Sequence, residues 1–100
     1  MILEIAEIRI EPGRNAEFEA AVRDGMQGVI AHADGFRGFK LNRGVESPQR
    51  YVMMVYWETL EHHTVGFRGG PLFPRWRAIV GPFFAVPPTV EHFELAAKSD

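Results

Sequence analysis

The sequence predicts an α+β fold in which four strands form one antiparallel sheet and two helical segments cover it. Residues 2–10 alternate loosely and are rich in isoleucine, as in a strand. Apolar residues then recur at three- and four-residue steps, which indicates an amphipathic helix. Two further strand-like stretches are joined by the turn Ser47-Pro48-Gln49. The order β-α-β-β-α-β is that of a ferredoxin-like split β-α-β unit.

The first helix is expected to begin behind Asn15, a good N-cap residue, and to continue to about residue 32. Gly25 and Gly28 fall inside this helix. Because each glycine costs about 1 kcal/mol relative to alanine in a helix interior, we expect the pair to mark close packing on the sheet.

The second half of the chain supplies the other four elements. Residues 36–46 and 51–57 are the predicted second and third strands. Thr59 is positioned to cap a short helix that carries two histidines, and Pro71 suits the first position of a second helical piece. The last strand is predicted at about residues 90–95, after two prolines.

Composition limits the possible functions. One hundred residues with a net charge of -2 predict one domain, 1–100, and no basic cluster is present for nucleic acid or an anionic membrane. The absence of cysteine excludes disulfides, thiolate metal sites and a cysteine nucleophile. The N-terminal stretch MILEIAEIRI is interrupted by charges and has no signal-peptide pattern. These observations favour a cytoplasmic protein that binds neither nucleic acid nor membrane.

The third predicted strand is apolar on both faces. Tyr51, Met53, Val55 and Trp57 alternate with a second apolar series that contains Met54. In a ferredoxin-like fold the helices cover only one face of the sheet, so the other face should be polar if it met water. We therefore expect a homodimer in which two sheets pack face to face. The alternative is a face that is merely less polar than average.

Large aromatic side chains are concentrated between residues 56 and 84, around two glycine-proline breaks. This surplus favours a pocket for a small, flat aromatic molecule. The alternative is a broken helix that only fills the core of a small domain.

The chain resembles a known family in the order and spacing of several short segments. They are Asp34-Gly35-Phe36-Arg37-Gly38-Phe39, Trp57-Glu58-Thr59, His63, Phe67, Pro71-Leu72-Phe73, Trp76 and Gly81-Pro82-Phe83-Phe84. Together they are similar to the antibiotic biosynthesis monooxygenase domain of the dimeric α+β barrel group. The resemblance implies a homodimer with a pocket between the helices and the sheet of each subunit. The characterised enzymes of the family include cofactor-free monooxygenases of phenolic or quinol-type compounds and haem-degrading monooxygenases, and many other members have no known reaction.

The haem-degrading branch of that family uses an Asn on the first strand, a Trp at the end of the third strand and a His that binds iron. Trp57 matches the Trp, but the Asn position falls near Ala6 and the iron-ligand position near Arg77. Two of the three residues are therefore lost, which disfavours haem degradation; the alternative is that His63 or His62 binds iron from another angle. The cofactor-free branch implies no cofactor, and none is expected.

His63 is the first candidate for chemistry. Phe67 follows it by four residues on the same helix face, and a neutral imidazole with a pKa of about 6.5 suits proton transfer from a phenol. The alternative is a packing histidine bonded to a backbone carbonyl. His62 lies about 100° around the helix from His63 and cannot share its face. His92, in the last strand, is expected to face either the pocket or the dimer interface.

Two further groups of residues complete the predicted site. Arg68, with Arg75 or Arg77, is placed to hold an anionic oxygen or, alternatively, to cover the aromatic cluster as a surface residue. Glu58 and His62 are spaced four apart, but no metal-binding ligand set accompanies them, so no metal is expected. The resemblance implies that a few Trp, Tyr, Asn and Arg side chains carry catalysis in the cofactor-free branch; Trp57 is a match, and Asn42, Tyr56 and Arg68 are candidates by residue type. The predicted catalytic residues are therefore His63, Trp57 and Arg68. The predicted substrate-binding residues are Tyr56, Phe67, Phe73, Trp76, Phe84 and Asn42.

Together these features predict a cofactor-independent monooxygenase that acts on a small phenolic or quinol-type compound. The alternative is a non-catalytic barrel protein that binds a small aromatic ligand or only dimerises. A haem monooxygenase is the third and weakest interpretation.

Overall fold

The computed structural model describes residues 1–100 and confirms the predicted ferredoxin-like order. The strands are β1 (Ile2–Arg9), β2 (Phe36–Arg43), β3 (Arg50–Trp57) and β4 (Thr89–Glu94), and the α-helices are α1 (Asn15–Gly28) and α2 (Leu72–Val80). All strand pairs are antiparallel, in the sheet order β2-β3-β1-β4. Three short segments complete the chain: the 3₁₀ turns Ile30–His32 and Gly81–Phe83 and the π-helix His62–Phe67. Neither helix is long and apolar enough to cross a membrane.

The hydrophobic core lies between the helices and one face of the sheet, which we call the inner face. Along β1 and β3 buried residues alternate with half-buried ones, because successive side chains of a strand point to opposite faces. Helix α1 buries Phe18, Val22 and Met26 against this face, at the spacing of one helical stripe. The ring of Phe18 lies 4.8 Å from that of Tyr51 on β3. The core therefore fixes which side chains of the central strands face the helices.

Several predicted boundaries differ from the structure. Asn15 is the first residue of α1 and does not cap it; its side-chain amide instead donates to the Pro48 carbonyl and the Tyr51 hydroxyl, at 2.7 Å each. Helix α1 ends at Gly28, before a separate 3₁₀ turn. Strand β2 ends at Arg43 instead of residue 46 because the Gly44 N–H donates to the Arg50 carbonyl and closes the hairpin. Helix α2 begins one residue after Pro71, and β4 starts at Thr89.

Gly25 marks close packing, as expected, but its neighbour is α2 and not the sheet. A Cβ atom at Gly25 would lie 2.8 Å from Cζ3 of Trp76, whereas a Cβ at Gly28 would meet nothing within 4 Å. The missing side chain of Gly25 therefore lets the Trp76 indole approach the α1 backbone. This contact fixes Trp76 where α1 and α2 meet.

The opposite sheet face, which we call the outer face, has no covering element within one chain. The strand register places six large apolar side chains on it: Leu3, Ile5, Val52, Met54, Tyr56 and Phe93. Asn42 is paired with Val52 and shares this face. The side chains of β3 are therefore apolar on both faces of the sheet, as predicted.

Candidate functional site

A cavity of about 320 Å³ lies between the inner sheet face and the segment from the π-helix to β4. The sheet side consists of Glu4, Ala6, Ile8, Met53 and Val90. The helical side contributes His63, Phe67, Arg68, Phe73, Trp76, Arg77 and Phe84, with Ile30 and Pro88 completing the wall. Most of the wall is apolar, and a few polar groups converge on one region, as is usual for a small-molecule site.

Glu4 is the only carboxyl group on the cavity wall. It occupies an inner-face position of β1 between apolar residues and is only 6% exposed. Its Oε1 accepts a hydrogen bond from Nε1 of Trp57 at 3.0 Å. Oε2 has no hydrogen-bond partner in the protein. Every fully buried side-chain oxygen or nitrogen does have such a partner, so Oε2 is not fully buried and solvent can reach it. Because Glu4 lines the cavity, one carboxyl oxygen is available to a ligand there.

A π-helix positions His63 next to this carboxyl group. The Arg68 N–H donates to the His63 carbonyl five residues back, and the Thr59 hydroxyl accepts from the His62 N–H at 3.3 Å, which confirms the predicted cap. The His63 ring is 3% exposed and stacks on Trp57 at 5.3 Å and 19°. It also stacks on Phe67 at 6.1 Å, so the predicted common face of His63 and Phe67 is present although the helix is not an α-helix. Such wide turns occur frequently at functional sites.

Both ring nitrogens of His63 face other side chains. Nδ1 forms a hydrogen bond of 2.7 Å with Nε2 of His92, and Nε2 lies 3.3 Å from Oε1 of Glu4. With Glu4 ionised, the favourable tautomer of His63 carries its hydrogen on Nε2, towards the carboxylate, and His92 donates to Nδ1. The groups thus form a chain from His92 through His63 to Glu4. Trp57 donates to the same carboxyl oxygen.

Burial raises the pKa of the carboxyl group and lowers the pKa values of the two imidazoles in this hydrogen-bonded series. Loss of hydration raises the pKa of Glu4, against the lowering effects of the Trp57 hydrogen bond and the positive charge of Arg68. Loss of hydration also lowers the pKa of His63 to about 4, and the charges of Arg68 and His92 add to this shift. Burial and Arg68 lower the pKa of His92 as well. Near neutral pH both imidazoles are therefore uncharged.

The structure brings together most of the predicted site residues. His63, Arg68, Phe67, Phe73, Trp76 and Phe84 all line the cavity. Trp57 does not, because its side chain is completely buried behind His63. Trp57 therefore acts on the cavity through its hydrogen bond to Glu4.

Two predicted substrate-binding residues lie elsewhere. Tyr56 and Asn42 belong to the outer sheet face, and the Asn42 amide donates to the Val52 carbonyl. The alternation of side chains along a strand separates Tyr56 from Trp57, and the sequence could not show which of the two faced the helices. Neither residue lines this cavity.

The structure also places the two arginines proposed to hold an anion and the Glu58–His62 pair considered for a metal. Of Arg75 and Arg77, only Arg77 reaches the cavity. Glu58 pairs with Arg37, and Nδ1 of His62 lies 2.8 Å from the Thr59 hydroxyl. No group of three or more acidic, histidine or cysteine side chains is arranged to hold a metal ion.

Glu4 is the polar cavity residue that the sequence does not single out. In the sequence it only interrupts the N-terminal apolar stretch as a charge. The sequence feature that could have identified Glu4 is its two-residue spacing from Ala6 and Ile8. This spacing places a carboxyl group on the apolar face of a strand. A buried acidic group of this kind is rare without a partner or a function.

The cavity residues do not fit haem. His63 is the one histidine on the cavity wall, and both of its nitrogens already contact His92 or Glu4. Ala6 and Arg77, near which the resemblance places the Asn and the iron-binding His of the haem-degrading branch, both line the cavity. The wall therefore offers no free imidazole nitrogen to an iron atom.

Comparison with known proteins identifies the family. The sequence profile of the family described as Antibiotic biosynthesis monooxygenase matches residues 1–78. The uncharacterized protein YczJ of Bacillus subtilis strain 168 is 39% identical over 100 residues, covering 94% of this chain and 98% of that protein.

Solved structures agree with this result. A candidate antibiotic biosynthesis monooxygenase from Bordetella bronchiseptica is 44% identical, with a TM-score of 0.90 and coverage of 96% of this chain and 97% of that one. SnoaB, a cofactor-independent oxygenase from Streptomyces nogalater, shares the fold at 16% identity, with a TM-score of 0.81 and coverage of 97% and 94%. The chain belongs to the antibiotic biosynthesis monooxygenase family.

Proposed function

We propose that the protein is a cofactor-independent monooxygenase that oxidises a small phenolic or quinol-type compound in the cavity beside Glu4. The observation that carries this proposal is a buried carboxyl group with one unoccupied oxygen, facing an aromatic-lined cavity. Family membership and the similarity to a cofactor-independent oxygenase support the reaction type. The cavity volume of about 320 Å³ favours a ligand of one or two rings, since it lies near the lower end of ligand sites, roughly 300–1,000 Å³.

The first step is removal of the phenolic proton by Glu4. His63, the residue that the sequence suggested for this role, is a poor base because its pKa is about 4 and its nitrogens already face His92 and Glu4. The raised pKa of Glu4 makes its carboxylate a stronger base than an exposed one. Arg68, also on the cavity wall, stabilises the resulting phenolate.

The second step is reaction of the electron-rich phenolate with O₂. A C–O bond forms at a ring carbon that carries hydrogen, and the distal peroxide oxygen takes the proton held by Glu4. Loss of the C–H proton and cleavage of the O–O bond then give a quinone and water. One oxygen atom enters the product and the other leaves as water. The substrate supplies all four electrons, so the reaction needs no external reductant.

His63, Trp57 and His92 act as positioning residues for Glu4. The Trp57 N–H and the close His63 nitrogen lie on the Oε1 side of the carboxyl group, which leaves Oε2 for the substrate. His92 fixes the orientation of the His63 ring through their 2.7 Å hydrogen bond. Partners of this kind hold a reacting group in the productive geometry.

We also infer that the protein works as a homodimer through its outer sheet face. Six large apolar side chains share this face, and no other part of the chain covers them. A second copy that packs its own sheet there would remove this surface from water.

Oxygen uptake tests the proposed reaction directly. The purified protein, treated with a metal chelator and free of flavin, is mixed with a panel of mono- and bicyclic phenols and quinols in an oxygen electrode. We expect at least one compound to consume one O₂ per molecule and to give a quinone without hydrogen peroxide. Binding of these compounds without any oxygen uptake would instead support the non-catalytic ligand-binding alternative.

A further inference from the structure

We propose that the cavity selects aromatic ligands with an anionic substituent, best a carboxylate, and that Arg77 binds this group. The inference deepens the proposed function by naming the class of ligand. It depends only on the cavity being the ligand site and does not require turnover.

The cavity wall carries more positive than negative charge. Five arginines of the chain lie within 4.0 Å of a carboxylate: Arg9, Arg14, Arg37, Arg43 and Arg50. The other four have no such partner; Arg68 and Arg77 line the cavity, whereas Arg23 and Arg75 do not. The wall carries a single carboxyl group, Glu4. With Glu4 ionised, Arg68 and Arg77 leave the cavity wall with a net charge of +1. Once Glu4 has accepted a proton, the net charge is +2.

The two guanidinium groups have different neighbours. The positive charge of Arg68 acts on Glu4, His63 and His92. The Arg77 guanidinium lies 5.8 Å from the ring centre of Phe73 and 6.0 Å from that of Phe84. Arg77 thus has aromatic rings as its neighbours.

The surroundings of Arg77 suit a carboxylate. A guanidinium that lies over aromatic rings keeps its N–H edges free, and those edges match the two oxygens of a carboxylate. Arg77 is exposed to solvent while it lines the cavity, so a ligand carboxylate there exchanges water for a bidentate pair, and a neutral ligand gains no such pair. Arg68 remains available for the phenolate, so one ligand with a hydroxyl at one end and an acid at the other satisfies both arginines.

The experiment compares two ligands that differ only in charge. 4-Hydroxyphenylacetate is anionic at pH 7, while 4-hydroxyphenylacetamide keeps the same ring and hydroxyl group without the charge. Calorimetric titration measures the affinity of each compound for the wild-type protein and for Arg77→Gln. Arg75→Gln is the matched control, because Arg75 is an exposed arginine on the same helix that does not line the cavity.

We expect the wild type and Arg75→Gln to bind the acid about tenfold more tightly than the amide, which corresponds to about 1.4 kcal/mol. Arg77→Gln should lose this preference, and Arg77→Lys should keep part of it. Added salt should weaken binding of the acid only. Circular dichroism establishes that each variant is folded before it is titrated.

Three results would overturn the inference: equal affinities of the wild type for acid and amide, a preference that survives in Arg77→Gln, or no binding of either compound at millimolar concentration. A preference that disappears in Arg68→Gln instead would assign the anion to Arg68 and contradict the role of Arg77. Failure of the proposed function has a different signature, since binding with the expected preference but without oxygen uptake would contradict catalysis and leave this inference intact.

Discussion

Two side chains contact the Glu4 carboxyl group, and two more act on it indirectly. Trp57 of β3 and His63 of the π-helix lie against Oε1. His92 of β4 holds the His63 ring, and Arg68, directly after the π-helix, contributes its charge. Each of them influences either the position or the protonation of one carboxyl group. At the scale of single residues, the chemistry of the cavity therefore depends on keeping Glu4 buried, oriented and open on one side.

Burial of neutral His63 predicts a specific pH dependence of stability. Its pKa falls from 6.5 in the unfolded chain to about 4 in the folded protein, so the unfolded state takes up a proton first. The stability that His63 contributes is complete above pH 6.5 and is lost as the pH falls to about 4. We expect the free energy of unfolding of the wild type to fall by about 2–3 kcal/mol over this range, relative to that of His63→Gln.

Urea denaturation of both proteins from pH 7 to pH 4 measures this difference. The comparison with His63→Gln is needed because Glu4, whose pKa is raised, acts in the opposite direction and stabilises the folded state as the pH falls. Two parallel stability curves would show that His63 is protonated equally easily in both states and would contradict the account.

Residue types alone predict much of the cavity wall. Phe67, Phe73, Trp76 and Phe84 are predictable because so many large rings exceed what a small core needs. Glu4 is not, because strand register decides whether a carboxyl group in β1 faces the helices or the outer face. For the same reason the sequence does not show that Tyr56 and Asn42 lie on the outer face, away from the cavity.

At the scale of elements, the Gly25 contact controls how α1 and α2 pack. In Gly25→Ala the new Cβ would lie 2.8 and 2.9 Å from two atoms of the Trp76 indole, closer than unbonded carbon atoms tolerate. We expect a net loss of about 1–2 kcal/mol in the free energy of unfolding, because the overpacking cost exceeds the gain in helix propensity. Ligand affinity should fall as well, since Trp76 lines the cavity.

Gly28→Ala is the matched control for this substitution. A Cβ there meets nothing within 4 Å, so we expect unchanged stability or a gain of up to about 1 kcal/mol. Thermal and urea denaturation of both variants test the pair. Equal effects of the two substitutions would mean that Trp76 moves aside freely and that α1 does not fix its position.

The elements were predictable to different degrees. Strand alternation and the amphipathic stripe of α1 gave the order of elements, because both patterns are local and repeat several times. Asn15 is a plausible N-cap in the sequence, but α1 begins one residue earlier than that role requires, with Arg14 at the N-cap position. The distant partners of its NH2 group, Pro48 and Tyr51, have no local sequence signal. The π-helix has no comparable sequence signal, since it differs from an α-helix only by hydrogen bonds one residue longer.

At the scale of the whole molecule, the outer sheet face predicts a dimer. Met54 lies on this face, whereas Met53 points to the cavity. Light scattering at micromolar concentration should give twice the chain mass of 11.3 kDa. Met54→Asp should dissociate or unfold the protein, because it would bury an unpaired charge between the sheets.

Val45→Asp is the control for this variant, as Val45 is 88% exposed in the hairpin loop between β2 and β3 and should tolerate the same charge. A stable wild-type monomer at this concentration, or a Met54→Asp protein that remains dimeric, would show that the outer face is not the interface.

The central claim is that the Glu4 carboxylate is the base of a cofactor-independent oxygenation, and the turnover number of Glu4→Gln tests it most directly. Gln keeps the shape of Glu but cannot accept a proton, so the account predicts a loss of about 10²–10⁴-fold in the rate of oxygen uptake with a phenol that the wild type oxidises. Glu61→Gln, the same change at an exposed residue before the π-helix, should retain the wild-type rate. A Glu4→Gln protein that is folded, binds the phenol and turns it over at the wild-type rate would contradict the claim.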